Sequence, residues 1–349
     1  MRIAQLAPTY ERVPPAAYGG TEHVVHLITE ELVRRGHEVT LFASGDSETA
    51  ARLRSVTAKP VRYGDWSEGL RHAEYLQLAN AQACFLEAAT GAYDIVHNHA
   101  GIEGLALAAS SRTPVLTTNH NPFVADVQSI WDAYPWAHHA LSRSSAASFP
   151  DRGALPPIHH GIEVESYTFG ERPEGYLLFL GRFSREKGGA RAIAAARGAG
   201  RKLVLAGKVD TADMDHFVAD IEPRIDGDQI RYVGEADATA KRQLLAGADA
   251  VLFPIDWNEP FGLVMIEALA SGTPVIGLRR ASVPEVIEDG VTGFVVDDVE
   301  SMIAAIGRLD QIGRQTCRAE AERRFNVGRM VDDYERHYET VLEHATATS

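Results

Sequence analysis

Ala250-Val251-Leu252-Phe253-Pro254-Ile255-Asp256-Trp257-Asn258-Glu259-Pro260-Phe261-Gly262-Leu263-Val264-Met265-Ile266-Glu267-Ala268-Leu269-Ala270-Ser271-Gly272-Thr273-Pro274-Val275-Ile276-Gly277 reads as a buried strand, a polar loop, a short helix and a second strand. The apolar run Ala250 to Phe253 has the length of a strand and stops at Pro254. A helix begins near Gly262 and ends at Gly272, and Pro274 forbids its continuation. The next apolar run, Pro274 to Gly277, follows after a turn.

Working outward, the same alternation of short apolar runs and helical period recurs along the chain, which is the pattern of βαβ units and of a parallel α/β fold. Upstream, Tyr176 to Leu180, Lys202 to Ala206 and Ile230 to Val233 complete one set of strands. Ile3 to Ala7, Glu38 to Phe42, Asp94 to Val96 and Pro114 to Thr117 form another. Between the sets lies Phe149 to Pro173, rich in Pro and Gly and poor in periodicity, which reads as a domain linker. Two domains are expected, residues 1–170 and 171–326. In the first, a long loop, Pro8 to Gly20, precedes a helix carrying Val24, Val25, Ile28 and Leu32, with Thr21 as a candidate cap and Gly36 as a candidate stop. A last helical stretch, Val327 to His344, follows the second set, and periodicity alone does not say where it packs.

The bulk properties narrow the function. In 349 residues, 34 Lys and Arg stand against 48 Asp and Glu, a formal charge of −14, so the whole-surface positive field of a non-specific nucleic-acid binder is missing. Any phosphate site must be built locally. Apolar residues at 45% and charged residues at 23% fit a folded soluble chain. Cys84 and Cys317 stand far apart and suggest neither a disulfide framework nor a thiolate zinc site. The apolar run after Arg2 is too short for a signal-peptide core, so a cytoplasmic location is expected.

Within the opening segment Leu263, Ile266, Glu267 and Ala270 share one helix face, so Glu267 falls on or beside the stripe that should meet the core. A carboxylate removed from water costs several kcal/mol unless strong donors satisfy it. A buried cation, such as a core arginine, or a hydroxyl-rich ligand is therefore implied. Glu259 lies just before the helix start, where the helix dipole alone would favour it. Backbone N–H groups around Phe261, Gly262 and Leu263 form a candidate anion pocket. A second follows the strand Tyr176 to Leu180 in Gly181-Arg182-Phe183-Ser184-Arg185-Glu186-Lys187-Gly188-Gly189, where Arg182 and Lys187 are suited to a diphosphate. The plain alternative is a solvated loop in which Glu186 pairs with a neighbour, an account that suits Arg185 better than Arg182. Tyr18-Gly19-Gly20-Thr21 enters the first helix and is a third place for close backbone contact, although no G-x-G-x-x-G follows the first strand.

Histidines follow two strands of the first set, in His97-Asn98-His99 and Asn119-His120-Asn121. A zinc site from His97, His99 and His120 lacks a nearby carboxylate or Cys, so no metal is assigned. His138-His139 and His159-His160 read as loop or surface residues. Gly19, His97, His120, Arg182, Gly207 and Glu259 share one property: each is placed after the C-terminal end of a strand, the rim where open parallel sheets bind ligands. The cleft between two such sheets is the expected site.

At this point the chain resembles glycosyltransferase family 4, the retaining nucleotide-sugar-dependent enzymes of the GT-B fold. The resemblance runs through Gly19-Gly20, Thr118-Asn119-His120, His160-Gly161-Ile162-Glu163, Gly181-Arg182-Phe183 with Glu186-Lys187-Gly188, and the pair Glu259 and Glu267. Gly272-Thr273-Pro274-Val275, Pro284-Glu285 and Asp289-Gly290-Val291-Thr292-Gly293-Phe294 complete it. It implies a first domain for the acceptor, a second for the donor, and a C-terminal segment that crosses back to the first. It also implies that Arg182 and Lys187 hold the diphosphate, Glu267 accepts from ribose hydroxyls, Glu259 and His120 lie at the transferred sugar, and amides at Gly20 and at Phe261 to Leu263 complete the cradle. His160 stands where the family has Asn, and Asp256-Trp257 replaces a Ser-rich approach to the first Glu.

The expected reaction is transfer of a hexose-type sugar from a nucleoside-diphosphate sugar, UDP before GDP or ADP, to a hydroxyl acceptor, by front-side attack with no metal and no cofactor. Another GT-B enzyme, such as an epimerase or a phosphorylase, and a non-catalytic nucleotide-sugar binder are the alternatives. Arg52, Arg54, Lys59, Arg62 and Arg71 would allow a peripheral membrane or lipid-linked acceptor, but Asp65, Glu68 and Glu74 dilute that patch, which favours a soluble acceptor. No nucleic-acid partner is expected.

Overall fold

The computed structural model describes residues 1–16, 19–61, 70–133 and 137–348. The chain divides into two compact units, Met1–His160 with Val327–Ser349, and Gly161–Asn326. Each holds one six-stranded sheet in which every strand pair is parallel.

In the first unit the strands are β1 (Arg2–Leu6), β2 (Glu38–Phe42), β3 (Arg52–Arg54), β4 (Ile95–Asn98), β5 (Val115–Thr118) and β6 (Ala137–His139), in the spatial order β3-β2-β1-β4-β5-β6. In the second they are β7 (Tyr176–Leu180), β8 (Lys202–Ala206), β9 (Ile230–Tyr232), β10 (Ala248–Phe253), β11 (Val275–Leu278) and β12 (Gly293–Val296), in the order β12-β11-β10-β7-β8-β9. Strand order reverses between β1 and β4 in one sheet and between β10 and β7 in the other. Those reversals open the crevices at the carboxyl ends where α/β sheets take ligands.

Central strands are runs such as Leu177–Phe179 and Ala250–Phe253, buried because both faces of a parallel sheet are covered. Three strands escape the sequence pattern, β3, β6 and β12, and all three are sheet edges. Arg-Leu-Arg and Ala-His-His carry no apolar run, whereas β12 does hold one, Phe294-Val295-Val296, after Gly293.

The first helix spans Gly20–Arg34 and buries Val24, Val25, Ile28 and Leu32. Gly19, not Thr21, is its N-cap, which places Thr21 inside the first turn. At the other end Gly36 N–H donates to the Val33 carbonyl and His37 N–H to the Leu32 carbonyl, at 2.9 and 3.1 Å, a Schellman closure around left-handed Gly36.

The last helix, Val327–Thr348, is part of the first unit, where Met330, Val331, Tyr334 and Tyr338 are buried. Arg35 holds it through Asp332 and Glu335 at 2.6 and 2.5 Å.

The junction between the units, His160/Gly161, falls inside Phe149–Pro173, the stretch read as a domain linker, and ahead of the expected boundary at residue 170. Ile158, Ile162, Val164 and Tyr167 are buried, Gly170 N–H donates to the Ser271 carbonyl at 3.0 Å, and Ile162 N–H donates to the Phe325 carbonyl at 2.8 Å. These contacts tie residues 161–170 to the second unit.

Arg314 reinforces that attachment. Its guanidinium donates to the carbonyls of Gly170, Ala246 and Ala248 and to the Thr273 hydroxyl. Arg314→Met, which keeps length and removes every donor, is expected to destabilise the second unit by roughly 3 kcal/mol or more, because several buried acceptors lose a charged partner at once. Urea unfolding followed by a probe in residues 161–326 measures this, and an unchanged midpoint contradicts the assignment.

Candidate functional site

In the second unit the site residues gather at the carboxyl ends of the neighbouring strands β7 and β10. After β7 the chain turns at Gly181, against which Gly207 packs so closely that a Cβ there would lie 1.9 Å from the Gly181 carbonyl oxygen. Gly207, expected as a ligand contact, thus has a packing reason to be glycine.

Arg182 then meets Glu186 at 2.9 Å, Asp213 at 3.5 Å and Asp210 at 3.6 Å. The plain account of this loop therefore applies to Arg182, while Arg185 pairs with Asp220 at 3.2 Å. Burial opposes the charge on Glu186, yet hydrogen bonds from Ser184 and the backbone, with the Arg182 charge, hold its carboxyl below the usual range. Asp213 is pushed up by burial, with Glu186 and Asp210 adding to the rise against the pull of Arg182.

A short turn, Arg185–Lys187, leads through left-handed Gly188 into the helix Gly189–Gly198. The turn is fastened to the β10 loop. Asp256 N–H donates to the Glu186 carbonyl at 2.7 Å, and Arg191 donates to the Pro254 carbonyl at 2.7 Å. This fastening brings Lys187 into an ion pair with Glu259, to which Trp257 also donates its indole N–H at 2.9 Å. The Lys187 ammonium lies 4.8 Å from the Trp257 ring centroid. Asp256-Trp257, a departure from the family pattern, thus supplies a donor to Glu259.

Beyond Glu259 the Phe261 carbonyl accepts from the Ser282 hydroxyl at 2.6 Å, and left-handed Gly262 is the N-cap of the helix Leu263–Ala270, with no side chain capping it. Glu267 on that helix is 4% exposed, as its place on the apolar stripe implies. The cation that its burial implies is Lys241, at 2.6 Å, a lysine where a core arginine was the plain alternative, and the Tyr167 hydroxyl donates to Glu267 at 2.9 Å. Burial and the Glu267 charge raise the Tyr167 phenol above its ordinary range, so it remains a donor. Lys241 and Tyr167 were not found from sequence, and neither carries a local signal.

In the first unit Gly19 is the N-cap of the first helix, following β1 and its loop, again without a side-chain cap, and Gly20 is the first helical residue. Tyr18 lies outside the described residues. His120 follows β5 and His99 follows β4, whereas His97 lies within β4. His99 Nδ1 and His120 Nε2 are 2.9 Å apart, and the His120 ring stacks on His160 at 5.6 Å.

His138 and His139 are not surface residues. Both are buried in β6, and His160 is buried as well. His138 donates to the Arg152 carbonyl at 3.2 Å, and His139 lies 2.7 Å from the Thr118 hydroxyl. Burial keeps His97, His99, His139 and His160 well below the ordinary histidine range and takes His120 down to about 3. Among the described residues no group of three or more His, Cys, Asp or Glu is placed to hold a metal ion.

Of the basic residues considered for a membrane-facing patch, Arg52 and Arg54 pair with Glu87 at 3.6 and 3.2 Å. Arg62, Asp65, Glu68 and the Arg71 side chain lie outside the description. No described helix is long and apolar enough to cross a membrane.

Two family models match the chain, glycosyltransferase family 4 over residues 18–154 and glycosyl transferases group 1 over residues 169–325. A phosphatidyl-myo-inositol mannosyltransferase of Mycolicibacterium smegmatis is 26% identical over 98% of this chain and 94% of its own length. Among solved structures, sucrose-phosphate synthase of Thermosynechococcus elongatus superposes with a TM-score of 0.80 at 21% identity, covering 99% of this chain and 100% of that one. Anabaena HepE in complex with UDP-glucose has a TM-score of 0.72 at 17% identity, covering 97% and 100%. With two parallel six-stranded sheets, motifs in the family's order and both family models matched, the chain is a glycosyltransferase of GT-B fold and belongs to glycosyltransferase family 4.

Proposed function

We propose that this glycosyltransferase is a retaining hexosyltransferase that moves a sugar from a nucleoside-diphosphate sugar, UDP before GDP or ADP, to a hydroxyl acceptor, with no metal and no cofactor. The second unit is the donor half and the first the acceptor half. The observation that carries this reading is the Lys187–Glu259 pair beside Arg182, at the reversal of strand order between β7 and β10. The complex of the similar HepE with UDP-glucose supports UDP as the base carrier.

In this reading the diphosphate takes Lys187 and Arg182 from their carboxylates, and the uncapped N–H groups at Gly262 and Leu263 add donors. Released from Lys187, Glu259 accepts from hydroxyls of the sugar, while Glu267 accepts from the ribose. As the bond from the anomeric carbon to the phosphate oxygen breaks, negative charge grows on the departing diphosphate, and the cations lower the barrier by stabilising it. The diphosphate takes the acceptor hydroxyl's proton, and the new bond forms on the face that the leaving group vacates. His120 is proposed to contact a sugar hydroxyl and the amide of Gly20 a phosphate oxygen, with Gly19 admitting close approach. A soluble acceptor fits the pairing of Arg52 and Arg54 with Glu87 better than a lipid-linked one. A cytoplasmic location is part of the same proposal.

A thermal-shift panel of UDP, GDP, ADP and their sugar conjugates, followed by UDP release with and without acceptor, tests the reading. Stabilisation by none of them, or binding without any release, overturns it. Glu267→Ala is expected to weaken UDP and UDP-sugar alike by roughly 10- to 100-fold in Kd, as loss of a charge-assisted hydrogen bond would. An effect on only one sugar conjugate would place Glu267 elsewhere. Lys187→Ala is expected to lower kcat by about 100-fold or more while donor Kd changes by less than about tenfold, because the charge it meets grows in the transition state. Steady-state kinetics with direct donor titration separates the two, and equal losses in both contradict the role.

A further inference from the structure

Three buried imidazoles of the first unit, His97, His99 and His139, and the partly buried His120 belong to one hydrogen-bonded chain, and its geometry leaves no choice of proton position. At one end His139 Nδ1 lies 3.0 Å from the Ala140 carbonyl, which only accepts, so the proton of this neutral ring is on Nδ1. His139 Nε2 is then bare and accepts from the Thr118 hydroxyl at 2.7 Å. With its single proton used, Thr118 accepts from His97 Nε2–H at 2.7 Å, so His97 Nδ1 accepts from the Tyr338 hydroxyl, also at 2.7 Å. The Tyr338 oxygen accepts from the Gln5 amide at 3.2 Å, and the Gln5 carbonyl accepts from His99 Nε2–H at 2.9 Å. His99 Nδ1 is therefore bare, and it accepts from His120 Nε2–H at 2.9 Å. Burial keeps all four rings neutral near pH 7, which permits one proton per ring.

Running the chain the other way would set a bare His139 nitrogen against a carbonyl oxygen. A buried polar pair of that kind is disfavoured by roughly tenfold or more. The remaining His120 nitrogen, Nδ1, takes no partner among the described residues.

We propose that Gln5, His97, His99, Thr118, Tyr338 and His139 are positioning residues that lock His120 with its proton on Nε2, so that its open Nδ1 can only accept and selects a hydroxyl of the ligand over an anionic oxygen. A phosphate oxygen at Nδ1 would meet lone pair with lone pair. A sugar hydroxyl meets it as a donor. The choice of a sugar as that hydroxyl's carrier rests on the proposed function, whereas the lock itself does not.

The test reads the tautomer directly, by two-bond 1H–15N correlation spectra of the full chain carrying 15N-labelled histidine, with His120 assigned through loss of its signals in His120→Asn. In the wild type His120 is expected to be protonated on Nε2 alone. Tyr338→Phe and Thr118→Val each remove one hydroxyl from the chain with little change of shape, and each is expected to bring in the Nδ1-protonated form. Thr118→Ser, which restores the hydroxyl, is expected to return His120 to Nε2–H. A wild-type ring protonated on Nδ1, or averaged between both nitrogens, overturns the lock, as does an unmoved tautomer in both folded hydroxyl-deletion variants. Addition of a UDP-sugar is expected to shift His120 Nδ1 while Nε2 stays protonated, and sulfate, which carries no proton near pH 7, to leave Nδ1 unmoved. If no sugar nucleotide binds at all, the proposed function fails and the ligand-free tautomer still decides the lock.

Discussion

Parallel pairing is the constraint on which the rest of this structure depends. Each of the twelve strands among the described residues runs in the direction of its neighbours, so the carboxyl ends in one sheet share an edge and each connection must return across a face. Reversal of strand order then splits the connections to opposite faces at β1/β4 and at β10/β7. The loops after those strands diverge and leave helix starts facing the gap. Gly19, Gly188 and Gly262 each precede a helix whose first amides have no side-chain cap. Sequence segments far apart, such as Arg182 to Lys187 and Asp256 to Glu259, become neighbours for the same reason.

Charge compensation follows from that crowding. An acidic chain cannot hold isolated cations at a rim for long without carboxylates nearby, and here each candidate cation has one. Arg182 faces Glu186, Asp210 and Asp213, Lys187 faces Glu259, and Lys241 faces Glu267. Partly buried pairs of this kind contribute little net stability, because desolvation offsets most of the attraction. What they do provide is preorganisation. A diphosphate arriving at such a rim replaces one anion with another, so the cations need not be desolvated afresh.

Much of this was legible in the sequence, and what was not has a physical reason. Apolar runs such as Leu177–Phe179 declare central strands because burial on both faces demands them, whereas β3 and β6, at sheet edges, need no such run. Glu267 was visible as a carboxylate on an apolar stripe. Its partners were not, since Lys241 is 26 residues away and Tyr167 is 100, and no local spacing encodes either. His139 was misread as a surface residue because its partner, Thr118, is met only through strand register. Tyr338 reaches His97 across 241 residues of sequence, on a helix whose destination periodicity could not reveal.

The two units answer the same problem, polar groups held out of water, in opposite ways. The second unit keeps ions and pairs them at the ends of β7 and β10, where the exact direction of any one proton matters little. The first unit keeps neutral rings and links them head to tail, so recognition there depends on proton direction and hardly at all on charge. Coulomb attraction falls off slowly in a partly buried site and so reads charge, whereas an imidazole nitrogen with a fixed tautomer offers a single role and so reads donor direction. An error in one hydrogen bond of the imidazole chain is felt along its whole length.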